Sequence, residues 1–370
     1  MEAIVVRRGE TSPTVAEVPR PDPEPGEALV RTLRVGVDGT DHEVIAGSHG
    51  GFPEGEDHLV LGHEAVGVVV EADGTPFAEG DVVVPTVRRP PVEGTNEYFE
   101  RGEPDMAPPE ACRECGIDGA HGFMSEYFAA PAEYLVPVPE DLAEWGFLVE
   151  PVSISEKALE HAAASRSAFE WDPESGLVLG NGSLGLLTLA MLDQRGYDRT
   201  YCLGRRDRPD PTIDIIEELG ATYVDSRRTP VTEIPEAHES MDFVYEATGY
   251  ARHAFECIEA LAPGGVGALL GVPEPWDFEI DGGRLHKEFV MNNKALVGSV
   301  NSNVSHFEAA VETLADFPSW FLDDLVTGVH DLGDYEAAFG DTADGDSASG
   351  ESAPRHDETT IKTALQFSQI

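Results

Sequence analysis

The sequence predicts an α/β protein in which a doubly wound parallel sheet follows a β-rich domain. Three features point there. Strands and helices alternate from about residue 175 to 302, and a glycine fingerprint opens the first helix of that alternation. Before residue 151, β-branched runs are punctuated by Gly and Pro, with few long helical patterns.

In the first part, EAIVV, EALVRTLRVGV, LGHEAVGVVVEA, DVVVPT and EYLVPVP read as strands between turn signals. Near residue 151 the periodicity changes, and PVSISEKALEHAAASRSAF reads as an amphipathic helix. Then come SGLVLG (strand), SLGLLTLAMLDQRG (helix), TYCLG (strand), PTIDIIEELG (helix), ATYVD (strand) and MDFVYEATG (strand). ARHAFECIEALAPGG (helix), GVGALLGV (strand), a helical stretch and the strand KALVGSVN complete the series. Such alternation implies a parallel sheet covered by helices on both faces. Two short helical patterns follow residue 302. The polar, small-residue stretch 340–358 is expected to be a mobile surface loop, and TIKTALQF to be a closing strand. The expected domains are 1–152, 153–302, and a return to the first domain over 303–370.

Asp and Glu number 70 against 24 Lys and Arg, a formal charge of −46. The lysines are Lys157, Lys287, Lys294 and Lys362. At low ionic strength such a chain repels itself. At molar salt the screening length falls to about 3 Å, so the composition reads as adaptation to concentrated salt. It argues against nucleic acid and anionic lipid as partners. No run of about 18 apolar residues suggests a membrane span, and MEAIVVRRGE lacks the pattern of a secretory signal, so a cytoplasmic protein is expected. The four cysteines are too few for a disulfide framework and fit a reducing compartment.

The fingerprint is Gly180-Asn181-Gly182-Ser183-Leu184-Gly185, a G-x-G-x-x-G between a strand and a helix. Gly180 permits the tight turn, Gly182 the approach of a pyrophosphate, and Gly185 close packing of helix on strand. Exposed N–H groups at the helix start favour the anion. The next strand ends TYCLGRRDR, so Gly204, Arg205 and Arg206 stand where an NAD site carries an acid. Guanidinium groups pair with a 2′-phosphate, so NADP is the expected cofactor. The competing reading is a surface ion pair between these arginines and Asp207.

Asp38, His63, Glu64 and Glu150 come from three places: RVGVDGTDHE, LGHEAVG and GFLVEP. Imidazole and carboxylate suit zinc, and a catalytic site keeps one position open. Singly, His63 also reads as a hydrogen-bonded core histidine, Asp38 as a turn cap and Glu150 as an exposed helix-start carboxylate.

The GHE motif, the later glycine fingerprint and the domain order resemble the zinc-dependent medium-chain dehydrogenases over nearly the whole chain. VGVDGTDHEVIAG, GHEAVGVVV, PTVRRPP, GAHGFMSEYF and NKALVGSVN are similar to the archaeal glucose dehydrogenases of that family, those of extreme halophiles in particular. The resemblance implies a Rossmann domain after a GroES-like catalytic domain. It also implies one catalytic zinc, NADP or NAD as acceptor, and oxidation of β-D-glucose at C1 to gluconolactone. Asp38, His63, Glu64 and Glu150 match the metal set, with Glu64 exchangeable with water. Where most of the family has cysteine this chain has Asp38, and a carboxylate in place of thiolate makes the site harder, so zinc is expected to be held less tightly. Thr40 matches a catalytic hydroxyl near the substrate, with Asp41 and His42 close by. Glu126 and Asn301 match sugar contacts together with Glu150, and Asn301 is also assigned to the cofactor side. Asn292 lies near a position where some relatives have histidine. A homo-oligomer, dimer or tetramer, is expected. The family's second, structural zinc needs four cysteines. Only Cys112 and Cys115 are available here, with Asp105, Glu110 or His121 to complete a set. Two alternatives remain: another zinc-dependent alcohol or polyol dehydrogenase, and a zinc-free quinone-reductase-like or non-catalytic NADP-binding protein.

Overall fold

The run EALVRTLRVGV forms the strand Glu27–Val37, buried over most of its length. Its apolar residues face two layers, and it is the centre of a seven-stranded sheet. The order is Leu135–Pro137, Val82–Pro85, Glu64–Glu71, Glu27–Val37, Lys362–Gln366, Val326–Asp331, and Tyr127–Pro131 also pairs with Glu27–Val37. The computed structural model describes residues 1–340 and 360–369. The loop expected at 340–358 therefore lies, beyond Gly340, outside the described residues.

The chain forms two units. The first holds Met1–Ser153, Asn301–Ala315 and Val326–Ile370; the second holds Ile154–Val300 and Asp316–Leu325. The return segment expected over 303–370 is thus divided, because the helix Ser319–Leu325 packs on the helix Pro211–Glu218 within the second unit.

The second unit contains a six-stranded sheet in the order Thr222–Asp225, Arg199–Gly204, Ser175–Leu179, Met241–Glu246, Leu261–Leu269, Ala295–Gly298. Every neighbouring pair is parallel. This is the 3-2-1-4-5-6 order of the Rossmann fold, whose ligand crevice opens where the order reverses beside the first strand. Leu177, Leu179, Leu203, Val244 and Cys257 are among its core residues, each no more than 2% exposed.

Two local expectations differ from the structure. The helix read through ALAPGG ends at Ala260, and Leu261 is already extended and begins the strand Leu261–Leu269. Pro263 accounts for this, since a residue preceding proline disfavours helix. In the first unit a short helix, Gly39–Ala46, follows Asp38 directly. Its apolar stripe is short, but its start is written in the sequence as a capping box. Asp38 accepts the Thr40 N–H, and Asp41 accepts the Asp38 N–H.

Candidate functional site

The site in the first unit is assembled by sheet register. Glu64 opens the strand Glu64–Glu71 and pairs with Gly36, which in turn pairs with Ala364 of the strand Lys362–Gln366. A Cβ at Gly36 would lie 2.0 Å from Glu64 Oε2, so glycine there makes the seat for that carboxylate. Gly62, at φ +86°, turns the chain so that His63 and Glu64 point inward, and a Cβ on it would meet Met124 Cγ at 2.4 Å. Asp38 follows the strand Glu27–Val37 and caps the next helix. Glu150 is the second residue of the helix Val149–Ala164. His63, Glu64 and Glu150 are all buried, at 5%, 1% and 7% exposure.

His63 is the hub. Its Nε2 is 3.6 Å from Asp38 Oδ1, and its Nδ1 is 3.9 Å from Asp41 Oδ1. Neither is a hydrogen bond, and Nδ1 and Asp41 Oδ1 are buried without a hydrogen-bond partner. Asp38, Asp41 and His63 form one set of ligand atoms within 4.8 Å of each other, and His63, Glu64 and Glu150 form another. Two ligands about 2.1 Å from a tetrahedral zinc lie roughly 3.4 Å apart, near the observed Asp38–His63 separation. Three buried carboxylates, Asp41, Glu64 and Glu150, and the half-buried Asp38 face one buried ammonium, Lys362, whose Nζ is 2.7 Å from Glu64 Oε1 and 2.5 Å from Oε2. Buried negative charge on this scale needs a cation, and nitrogen and oxygen donors with orphaned lone pairs fit zinc.

The protonation energetics show the same imbalance. Burial raises the Asp41 carboxyl to about 7, with Asp38 and Glu64 adding to the effect. Burial likewise lifts Glu150 to about 8, helped by the charges of Glu64 and Asp38. Burial opposes a charge on His63, yet Asp38, Asp41, Glu150 and Glu64 together raise it to about 9. Burial also raises Glu64, against the pull of Lys362. Asp38 goes the other way: burial would raise it, but His63, Lys362 and two backbone N–H groups outweigh that and lower it. Carboxyls pushed up and an imidazole held toward its charged form are what a bound cation would relieve.

Other expected residues fall in different places. Thr40 sits in the first helical turn after Asp38. Asn301, at φ +58° and buried, donates from Nδ2 to Glu114 Oε1 at 3.0 Å, and the same oxygen accepts from Arg88 Nε at 3.0 Å. The next residue, Ser302, meets Ser153 Oγ at 2.6 Å, and Ser153 Oγ donates to the Glu150 carbonyl. Asn301 is thereby tied to the turn that carries Glu150. Glu126 joins none of the possible ligand sets among the described residues. The register Tyr127–Arg31 sets it against the middle of the strand Glu27–Val37, and its carboxylate accepts the Glu2 N–H at 2.8 Å. Asn292, in the second unit, ends the helix Gly282–Met291 and bonds Glu288. Neither Cys112 nor Cys115 joins any set of possible ligands among the described residues, and both are free thiols. His121, a candidate partner for them, groups instead with Glu56 and His58. Sequence reasoning missed Lys362, Glu114 and the seat at Gly36. Lys362 carried one available signal, a lone cation in an apolar strand of a chain with four lysines.

In the second unit the glycine fingerprint has its expected shape. Gly180 has φ +112°, and a Cβ on Gly185 would lie 2.0 Å from the Gly180 carbonyl oxygen. Gly182 caps the helix Ser183–Gln194 with no side-chain bond, which leaves the N–H groups of Ser183 and Leu184 to a ligand. Gly204 admits no side chain, since a Cβ would stand 2.5 Å from Asn181 Oδ1 and 2.9 Å from the Tyr223 ring. Asn181 is fixed by Nδ2 donating to Thr212 Oγ1 at 2.6 Å. Asp207 does not pair with Arg205 or Arg206; Arg227 holds it at 2.8 Å. Arg206 reaches Asp210 at 3.3 Å, and Arg205 is exposed. Burial, then the Arg205 charge, lowers His253 to about 4, which keeps its ring neutral.

Residues 143–367 match the family described as glucose dehydrogenase C-terminus, and residues 24–140 match the alcohol dehydrogenase GroES-like domain. The glucose 1-dehydrogenase of Haloferax mediterranei is 67% identical over 100% of both chains. That of Halobacterium salinarum is 61% identical over 99% of each. The solved structure of the Haloferax mediterranei enzyme in complex with NADP, Zn and gluconolactone superposes with a TM-score of 0.95 at 67% identity, covering 100% of both chains.

Proposed function

This chain belongs to the glucose dehydrogenase family within the zinc-dependent medium-chain dehydrogenases, and from that premise we propose that it oxidises β-D-glucose at C1 to gluconolactone, with NADP as acceptor. The observation that carries the proposal is the buried, cation-deficient cluster of Asp38, His63, Glu64 and Glu150, in a chain 67% identical to an enzyme solved with NADP, Zn and gluconolactone. Asp38, His63 and Glu150 would hold one zinc ion, with Glu64 in exchangeable reach. When bound, zinc supplies Lewis acidity to the sugar O1 hydroxyl, and NADP supplies the acceptor for the C1 hydride. The Thr40 hydroxyl, in the first turn beyond Asp38, would bond the sugar O1 or relay its proton. Asn301 orients sugar hydroxyls, with Glu114 fixing its amide. Glu126 is retained as a sugar contact from the family resemblance alone. Buried polar groups of this kind reject sugars that leave them unpaired.

The test is absorbance at the reduced-nicotinamide band in molar salt, with zinc, NADP, and a panel of aldoses, polyols and short alcohols. Glucose turnover that vanishes on chelation and returns with zinc is expected. Turnover confined to alcohols, or undiminished without metal, would defeat the proposal.

The exposed Arg205, and Arg206 behind it, select NADP, with NAD as the weaker acceptor. A charge-assisted bond contributes about 1.5–3 kcal/mol, so Arg205→Ala/Arg206→Ala, which removes at least one, should raise KM for NADP by roughly tenfold to a hundredfold or more and leave NAD little changed. Equal losses with both cofactors would remove the assignment. Gly204→Asp should not create an NAD enzyme, because Asn181 and Tyr223 already fill the space.

The enzyme works as a homo-oligomer in the cytoplasm. No helix among the described residues is long and apolar enough to cross a membrane, and the four free thiols suit a reducing compartment. The strand Ala295–Gly298 is an open sheet edge, flanked in sequence by Met291 and Val300 at 68% and 54% exposure. Unpaired strand edges with apolar flanks call for cover by another chain. Light scattering in molar salt should give at least twice the chain mass of 39.8 kDa, and Met291→Lys should shift it toward the monomer. A wild-type monomer would exclude this.

A further inference from the structure

Lys362 and Glu64 are separated by 298 residues yet form a buried pair, at 2% and 1% exposure. They sit on the two strands that flank Glu27–Val37, and the Glu64 carboxylate lies across the bare face of Gly36. Lys362 Nζ reaches both carboxylate oxygens, at 2.7 and 2.5 Å. Glu64 also belongs to the set of possible metal ligands with His63 and Glu150. One carboxylate thus has two claimants, an ammonium in hand and the cation of the proposed zinc site.

We propose that Lys362 is a positioning residue that withholds Glu64 from the zinc ion, so that the position facing the substrate stays open. The inference rests on the zinc reading given above. A desolvated ammonium hydrogen-bonded to Oε1, and in charge contact with an Oε2 that has no hydrogen-bond partner, competes with a metal for the same carboxylate. A neutral side chain at 362 leaves a buried carboxylate without a cation, and the ion is then its remaining partner. Glu64 closes onto the metal as an added protein ligand, which tightens binding and fills the site. Partners of metal ligands commonly shift affinity by about 10- to 100-fold when removed. Loss of a partner usually weakens the metal; here the sign is reversed.

The experiment uses full-length protein in molar salt, freed of metal by chelation and loaded with cobalt(II), whose visible bands report coordination. Wild type should bind one cobalt per chain, and its bands should shift on addition of glucose. Lys362→Met should bind cobalt about tenfold more tightly, and its bands should no longer respond to glucose. Lys362→Arg should behave as wild type. Unchanged or weaker binding by Lys362→Met would overturn the proposal. So would tighter binding with the glucose response intact, since that is a general charge effect. Should Lys362→Met fail to fold, Glu64→Gln decides: it should keep the glucose response and lose less than about tenfold in affinity. A larger loss means that Glu64 is already a ligand and Lys362 does not hold it back. Failure of wild type to bind cobalt at all would instead remove the zinc reading itself.

Discussion

Asp38→Ala should lose its zinc on chelation, fail to regain it at micromolar metal, and fall at least about a thousandfold in kcat/KM for glucose. A Lewis acid at a developing alkoxide contributes several kcal/mol, and about 4 kcal/mol is a thousandfold in rate. Asp38 has a second role that must be separated from this one, because it caps the helix Gly39–Ala46 by accepting the Thr40 N–H at 2.8 Å. Losing a cap costs about 1 kcal/mol of stability. Asp38→Asn separates the two roles. Asparagine caps as well as aspartate but brings no charge to the cluster, so it should restore stability and leave metal and activity lost. Asp38→Cys should keep the metal, since thiolate is a better zinc ligand, while giving up the cap. Metal content, melting temperature and kinetics on the three variants check this. Full activity of Asp38→Ala after chelation would show that the cluster is not the catalytic metal site.

Dilution from molar salt should have the largest effect on the protein as a whole. With 70 acidic and 24 basic side chains, the folded chain carries −46. At 1 M the screening length is about 3 Å, and at 0.1 M it is about 10 Å, long enough for neighbouring surface carboxylates to repel. The melting temperature is therefore expected to fall by tens of degrees between 3 M and 0.1 M KCl, with activity lost in parallel. Most of the gain should come below about 1 M, where screening changes most. A shift under about 4 °C, equivalent to roughly 3 kcal/mol for a chain of this size, would mean that the acidic surface is not under strain.

How far the sequence disclosed this arrangement depended on how local each signal was. The glycine turn of the proposed dinucleotide site was legible in the sequence. Gly180, Gly182 and Gly185 lie within six residues, and each answers to a backbone requirement that the structure displays, such as the 2.0 Å approach at Gly185. The proposed metal set was legible only as three separated fragments whose union rested on a family resemblance. No local rule joins Asp38, His63 and Glu150. Lys362 was invisible as a partner of Glu64, because register across the strand Glu27–Val37, not proximity in sequence, brings them together. Register also explains Glu126. The motif GFMSEY describes its neighbours, but the pairing of Tyr127 with Arg31 decides that it lies beside Glu2. The competing reading, an ion pair between Arg205 or Arg206 and Asp207, fails for the same reason. Asp207 is adjacent to Arg206, yet Arg227, twenty residues away, takes it. The short helix after Asp38 was legible in its capping residues and was overlooked because its apolar stripe is too short to register.

The central claim is that one zinc ion in the Asp38, His63, Glu64, Glu150 cluster serves the oxidation of glucose. Anomalous diffraction at the zinc edge, from crystals grown in molar salt with zinc, NADP and glucose, tests it most directly. The predicted result is a single anomalous peak between Asp38, His63 Nε2 and Glu150, with the sugar O1 turned toward it and the 2′-phosphate at Arg205 and Arg206. A cluster without a peak, zinc held instead at Glu56, His58 and His121, or a sugar bound away from the metal would contradict it.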